Sequence, residues 1–303
     1  MIEQILVLGA ITGAMYALLA LGFTLIYGVA EVVNMAYGAI SLLGTYMFIF
    51  FASFWAITQA GITVVPHSYI VLAIVLAAIV VGILGSIIYR FIIDPVVEDL
   101  LALLVVTIGV AIILQQSMAI GFGHYHRAVS IHISGSIALL GVRVITSQVI
   151  GAVVSLVLFA ILWIFIAKTK TGGAMRATAS DREAAMLMGI DTRKLSMLTM
   201  AISSSLAAVA GILTVASTTQ IATPYIWTEP LIMSFAIVIL GGLGSIKGSF
   251  IASFIFGYSE QVFITFMPGY TAYLRGAFAL AVMVAVLVLR PRGLFGKHVE
   301  LED

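Results

Sequence analysis

Long apolar runs separated by short polar connections fill almost the whole sequence. A membrane-spanning helix needs about 20 apolar residues to cross roughly 30 Å of hydrocarbon. Runs that could serve as spans lie at positions 4–27, 36–57, 68–90, 100–121, 147–167, 195–216, 230–244, 249–266 and 273–290. The seventh run would rise only about 22 Å as an α-helix, and it ends in the glycine-rich segment GGLGSIKG. The pattern therefore predicts an all-α, polytopic membrane protein with about eight or nine spans, one of them short, broken or re-entrant.

Composition supports this fold and excludes several others. Hydrophobic residues make up 62% of the 303 positions and the mean hydropathy is +1.22, a fraction that no soluble core could bury. The net charge of +1 gives no indication of a nucleic-acid partner, and the lack of cysteine excludes disulfides and most zinc sites. The apolar N-terminus carries no basic region, which favours a retained span over a cleaved signal peptide. We expect one membrane domain over residues 1–303.

The basic residues predict the orientation of the spans, because cytosolic loops carry an excess of Lys and Arg. With the N-terminus outside, three basic side chains fall outside: Arg127, Arg143 and Arg275. The other eleven of the 14 fall on the cytosolic side: Arg90, Lys168, Lys170, Arg176, Arg182, Arg193, Lys194, Lys247, Arg290, Arg292 and Lys297. This orientation puts the C-terminus and the loop 168–195 in the cytosol and the loop 122–146 outside.

The loop 168–195 contains a polar island, TGGAMRATASDREAAMLMGIDTRKL. Ser180 and Glu183 have the spacing of a capping box, in which each side chain bonds the other residue's amide. Gly189 supplies a helix stop and Asp191 can cap the next helix. The helix between these signals, roughly 181–188, is too short to be stable alone in water. It would expose four small or apolar side chains that need a docking partner: Ala184, Ala185, Leu187 and Met188.

Five segments, in this order, carry a family resemblance. They are YALLALGFTLIYGVAEVVNMAYGAISLLGTY, LLALLVVTIGVAIILQQ, RATASDREAAMLMGIDTRKLSMLTMAISSSLAAVAGIL, VILGGLGSIKGSFIASFIFGYSE and LVLRPRGLFGK. The chain resembles the permease subunits of branched-chain amino acid ABC importers, which share a broader family with urea, short-chain amide and sugar permeases. Tyr37 stands where this family most often has His, and Ala39 stands where an acidic residue is common. These departures leave the solute open, so a permease for urea or short-chain amides is the alternative.

The resemblance implies a set of partners and a coupling role for the polar island. Two cytosolic ATPase subunits would hold ATP and Mg²⁺, and an external binding protein would deliver the solute. A second permease subunit, homologous or identical to this chain, would complete the assembly, which would lie in a prokaryotic cell membrane. The coupling residues are then Ser180, Asp181, Glu183, Ala184, Ala185 and Gly189. The segment GLFGKH lacks the leading Gly and the Ser or Thr of a phosphate loop. We therefore expect neither enzymatic activity nor a cofactor in this chain.

Polar residues inside apolar runs are the candidates for the translocation pathway. Asn34, Tyr37 and Gly38 either shape a discontinuous helix along the pathway or satisfy loop backbone groups. Gln115 either faces the pathway or bonds another helix. Glu260 must be paired or face water, and Arg275 is the predicted partner.

Two further readings are weaker. A stand-alone secondary transporter would usually carry several ionisable groups within the membrane for ion coupling, whereas Glu260 is nearly alone there. His124, His126 and His132 cluster in the loop 122–146, but no carboxylate or cysteine of that loop completes a metal shell, so no metal site is expected.

Overall fold

The structure is a computed structural model, and it describes residues 1–54, 57–59, 62–64, 67–123, 135–218, 223–266, 277–278, 281–286, 288 and 293–295. The long helices are α1 (Ile2–Ala30), α2 (Tyr37–Phe54), α3 (His67–Ile88), α4 (Leu100–Phe122), α5 (Thr146–Lys168), α8 (Thr192–Thr218) and α10 (Ile246–Phe266). Three helices are shorter: α6 (Lys170–Thr178), α7 (Arg182–Leu187) and α9 (Thr228–Gly241).

The predicted all-α, polytopic fold is confirmed. In the described part of the chain, seven helices are long and apolar enough to cross a membrane, and α9 is the short apolar helix predicted for the seventh run. Half of the ninth predicted run, 273–290, lies outside the described residues, and its described residues 277–278, 281–286 and 288 are helical. Two small antiparallel hairpins were not predicted, namely β1 (Ile57–Gln59) with β2 (Ile62–Val64) and β3 (Ser136–Leu139) with β4 (Val142–Ile145).

Helix α1 forms the centre of the bundle and packs against α10, α8, α5 and α9. Its crossing with α10 is close because small residues meet there. A Cβ added at Gly257 would lie 2.6 Å from the backbone nitrogen of Gly13. In lipid, hydrophobicity does not drive helices together, so such close backbone packing has to supply the attraction.

The bundle has two ends, which we name by the elements they carry. The hairpin face carries β3 and β4, whose Val142 and Val144 pack on Val7 near the start of α1. The short-helix face carries α6 and α7 and lies at the other end of α1. There Gly28 approaches Gly244, in the turn between α9 and α10. Helix α10 is therefore antiparallel to α1.

The connection between α1 and α2 turns back into the bundle. Glu31 adopts a left-handed conformation with φ 57°, and the next residues run without helical structure to Tyr37. The hydroxyl of Tyr37 donates to the carbonyl of Leu19 at 2.7 Å. Leu19 lies 11 residues before the end of α1, a rise of about 16 Å. Helix α2 therefore starts well inside the bundle, as does α9, whose first turn packs on Gly38 of α2.

Candidate coupling surface and translocation pathway

Helix α7 is capped by Asp181, and the predicted Ser180–Glu183 capping box is wrong. The Asp181 carboxylate accepts a hydrogen bond from the Ala184 amide at 2.8 Å. Ser180 still belongs to the last turn of α6, because its own amide bonds the carbonyls of Arg176 and Ala177. Asp181 is the first residue after that turn with an extended backbone, which an N-cap requires.

The C-terminal end of α7 matches the prediction. Gly189 has φ +84°, its amide bonds the carbonyl of Met186, and the amide of Ile190 bonds the carbonyl of Ala185. These two bonds form a Schellman motif. Asp191 then caps α8 by accepting from the Lys194 amide at 3.0 Å. The Lys194 ammonium also bonds the Asp191 carboxylate and lowers its pKa.

The outer surface of α7 is apolar. Leu187 is 88% exposed and Met188 83% exposed, and Ala184 is exposed beside them. The expectation that Ala185 is exposed is wrong, because it is only 4% exposed and faces the bundle. Met186, which the prediction did not include, is 50% exposed instead. Leu187 and Met188 are the two most exposed apolar side chains here, and we call them the tip of α7.

Two polar contacts attach this region to the rest of the bundle. Arg182, the first residue of α7, donates to the carbonyl of Ala30 at the end of α1. Arg193, in the first turn of α8, forms an ion pair with Asp94, which also pairs with Arg90 at 3.1 Å. Asp94 follows a π-helical turn, Tyr89–Ile93, at the end of α3. The ends of α1 and α3 are therefore tied to the segment that holds α7.

Asn34, Tyr37 and Gly38 are buried at the point where α2 starts. The Asn34 carbonyl oxygen accepts from the Ala36 amide at 2.9 Å, and its amide nitrogen lies 3.8 Å from the sulfur of Met200. Asn34 thus accepts a hydrogen bond from a nearby backbone amide, while the Tyr37 hydroxyl bonds α2 to α1. The alternative in which Asn34 satisfies loop backbone groups is confirmed, whereas a role of these residues along the pathway stays a prediction.

Gln115 and Glu260 each bond an aromatic side chain. The Trp227 indole donates to the Gln115 side-chain oxygen at 2.5 Å, which links α4 to the residue just before α9. The Tyr16 hydroxyl donates to the Glu260 carboxylate at 2.7 Å, between α1 and α10. The predicted partner of Glu260, Arg275, lies outside the described residues.

A cavity lies among α1, α2, α8 and α9, near the middle of α1; we call it the central cavity. Its polar lining residues are Tyr16, Ser41, Thr45, Thr214 and Glu229. Its apolar lining includes Leu19, Leu42, Val215, Ile226 and Met233. None of the predicted pathway residues lines the central cavity, but four of them contact residues at its lining. Glu260 bonds Tyr16, and Tyr37 bonds the Leu19 carbonyl. Gly38 and Gln115 both contact Trp227, the residue next to Ile226.

Glu229 is the functional candidate that the sequence reasoning missed. The sequence around it, YIWTEPLIM, reads as a loop before a short span that starts at Pro230. The structure places Glu229 in the first turn of α9, lining the central cavity. The signal that could have identified it was the shortness of the predicted span. A half-length helix has one end within the depth of the bundle, so a carboxylate at that end can line an internal cavity.

No group of three or more potential metal ligands occurs in the part of the chain that the structure describes. The histidines His124, His126 and His132 lie outside that part.

Comparison with known proteins places this arrangement in a family. The model for "Branched-chain amino acid transport system / permease component" matches residues 5–287. LivH of Salmonella typhimurium, a high-affinity branched-chain amino acid transport system permease protein, is 30% identical over 297 residues, which cover 95% of this chain and 94% of LivH. BraD of Pseudomonas aeruginosa, which carries the same description, is 29% identical over 97% of this chain and 95% of BraD.

An archaeal protein and a solved structure extend the comparison. A probable LivH of Methanocaldococcus jannaschii is 28% identical over 97% of this chain and 93% of that protein. The fold is similar to PsaBC from Streptococcus pneumoniae, solved in complex with Fab, with a TM-score of 0.51, 15% identity and coverage of 95% and 93% of the two chains. Since the family model covers nearly the whole chain, this protein belongs to the family of branched-chain amino acid transport permease components.

Proposed function

We propose that this chain is the membrane-spanning permease subunit of an ATP-binding-cassette importer for branched-chain or other hydrophobic amino acids. The observation that carries the proposal is the exposed apolar tip of α7. A six-residue helix has little stability of its own, and Leu187 and Met188 at its end are almost fully exposed. A capped helix that holds two apolar side chains away from the bundle is suited to dock on another protein.

The remaining subunits follow from this docking surface and from the family. Two cytosolic ATPase subunits bind ATP and Mg²⁺ and contact α7, so this chain itself has no catalytic residue and no cofactor. A second permease subunit, either homologous or a second copy, completes the pathway, and an external binding protein delivers the amino acid. The short-helix face and the C-terminus lie in the cytosol and the N-terminus lies outside; the asymmetric distribution of Lys and Arg supports this orientation.

Docking on α7 is tested with the complete complex in lipid vesicles. The double variant Leu187→Ala, Met188→Ala is compared with Leu101→Ala, which changes a leucine that is 75% exposed at the start of α4, near the same face. We expect the double variant to lose co-purification with the ATPase subunits and uptake, while Leu101→Ala keeps both. Equal behaviour of the two variants would contradict the assignment.

Orientation and solute need separate measurements. Because the chain has no cysteine, Ala179→Cys and Ser130→Cys can be labelled in intact cells with an impermeant thiol reagent. We expect the first to be protected and the second to react; the reverse result would refute the orientation. For the solute, leucine should compete with uptake better than urea at equal concentration, and better competition by urea would favour the amide-permease alternative.

A further inference from the structure

Two buried hydroxyl groups in the lining of the central cavity have no hydrogen-bond partner among the described residues. Ser41 and Thr45 lie one turn apart on α2, each is 1% exposed, and both line the cavity. Neither hydroxyl has a hydrogen-bond partner among the described residues. A buried hydroxyl left unpaired costs roughly 1–3 kcal/mol, and most buried polar groups in proteins are paired. Because Ser41 and Thr45 also line a cavity, their hydroxyls are available to bond a polar occupant.

The Glu229 carboxylate also lines the central cavity. Glu229 lies in the first turn of α9, where the dipole of the helix stabilises a carboxylate. Helix α9 starts inside the bundle, so this charge is placed near the middle of α1 and away from both ends of the bundle. Ionisable groups at such depth usually belong to a transport pathway or an ion pair.

The rest of the lining is aliphatic. Leu19 from α1, Leu42 from α2, Val215 from α8 and Ile226 and Met233 from the α9 region surround the polar groups. An apolar pocket with a few converging polar groups is the usual form of a site for a small molecule. The composition fits a molecule with one cationic end, hydrogen-bond acceptors and an aliphatic body.

We propose that the central cavity is a transient subsite for a zwitterionic amino acid with an aliphatic side chain. The Glu229 carboxylate accepts hydrogen bonds from the α-ammonium, the hydroxyls of Ser41 and Thr45 donate to the α-carboxylate, and the aliphatic lining receives the side chain. This inference rests on the function proposed above, and it names the residues that hold the cargo within the permease.

The cavity is smaller than an amino acid in this structure. The cavity volume is about 50 Å³, which is room for a few water molecules. Admission of an amino acid therefore requires α2, α8 or α9 to move apart. Helices α2 and α9 both start inside the bundle, so each can shift at that end without displacing a whole span.

The test uses the complete complex in vesicles with a leucine-loaded binding protein. Glu229→Gln removes the charge and keeps the shape, and the double variant Ser41→Ala, Thr45→Val removes both hydroxyls. Ser155→Ala is the matched control for the hydroxyls, because Ser155 is also 1% exposed and unpaired among the described residues but lies on α5 outside the cavity lining. Glu3→Gln is the control for the carboxylate, since Glu3 is exposed near the start of α1.

We expect Glu229→Gln to lower leucine uptake by about tenfold or more, because it removes a charge-assisted bond to the ammonium. The hydroxyl double variant should show a smaller loss in the same direction. Stimulation of ATP hydrolysis by the loaded binding protein should stay within about twofold of the unmodified complex, since docking and coupling are unchanged. Uptake by both cavity variants at the level of the two controls would overturn the proposal.

A second measurement covers the case in which Glu229→Gln fails to assemble. Ser41→Cys is the only cysteine in that variant of the chain, so its reaction with a small thiol reagent reports on the cavity. Leucine should slow this reaction and urea should not; a reaction rate that leucine leaves unchanged would overturn the proposal. If the unmodified complex imports no amino acid, the proposed function fails, and protection of Ser41→Cys still tests the subsite independently.

Discussion

The N-cap of α7 provides the sharpest test of the coupling surface. Asp181 accepts from the Ala184 amide at 2.8 Å, whereas Ser180 lies in the last turn of α6 and caps nothing. Asp181→Ala should therefore destabilise α7 by about 1 kcal/mol, and Ser180→Ala should leave it unchanged. A loss of this size changes a docked-to-undocked ratio by about fivefold. In a helix of six residues, little else compensates for the lost cap.

The assay compares amino acid uptake with ATP hydrolysis stimulated by the binding protein in reconstituted complexes. Asp181→Ala should lower the number of solutes imported per ATP, and Ser180→Ala should not. Asp181→Asn should restore much of the coupling, because Asn is an equally good N-cap. If Asp181→Asn behaved like Asp181→Ala, the carboxylate charge would be responsible and the capping argument would be refuted. Equal effects of the Asp181→Ala and Ser180→Ala variants would refute it as well.

Three further predictions concern the helix ends and crossings. Gly189→Ala should destabilise α7 by about 1–2 kcal/mol through its backbone conformation alone, because no neighbouring atom lies within 4 Å of a Cβ placed there. Gly189→Asn should recover part of this loss, and unchanged coupling in the Gly189→Ala variant would contradict the prediction. Asp94→Asn should lower the free energy of unfolding by about 1 kcal/mol or less. It should also lower the number of solutes imported per ATP, because it releases α8 from the end of α3, and an unchanged number would argue against a coupling role of this ion pair. Gly44→Ala should lower thermal stability in detergent by about 1–3 kcal/mol through overpacking on α8, while Gly109→Ala, at an open position of α4, should raise it by about 0.5–1 kcal/mol; similar melting temperatures for both would exclude overpacking.

The positions of the long helices could be predicted from the sequence, because hydrocarbon thickness sets their length and few polar residues interrupt them. The stop at Gly189 and the cap at Asp191 were also predictable, since each depends on residues within one turn. The cap of α7 was not, because it depends on where α6 ends. Ser180 has the spacing of a capping box, but the preceding helix uses it for its own last turn.

The central cavity could not be derived from spacing along the chain. Its polar residues come from four helices, and Ser41 and Thr45 look like ordinary small residues of a membrane span until α8 and α9 are placed against them. Gln115 is visible in the sequence as a polar residue within an apolar run, but its partner Trp227 is 112 positions away. Glu260 was likewise identified, while its contact with Tyr16 depends on the antiparallel packing of α1 and α10.

The proposed docking surface and the central cavity are joined by one continuous helix. Helix α8 begins after the four residues that follow α7, and it contains Gly211, which is 19 residues from Thr192, a distance of about 28 Å. At that point a Cβ on Gly211 would lie 2.7 Å from the hydroxyl oxygen of Ser41, so α8 and α2 are in backbone contact at the cavity wall. Because α8 is one unbroken helix between these two points, we expect an axial shift or a tilt at its start to displace Gly211 as well. Movement of α7 would therefore reach Ser41 through α8, and the ion pair of Arg193 with Asp94 would have to move with it or break. In the proposed importer, motion of ATPase subunits docked on α7 would therefore widen or close the space between the Ser41 and Thr45 hydroxyls and Glu229.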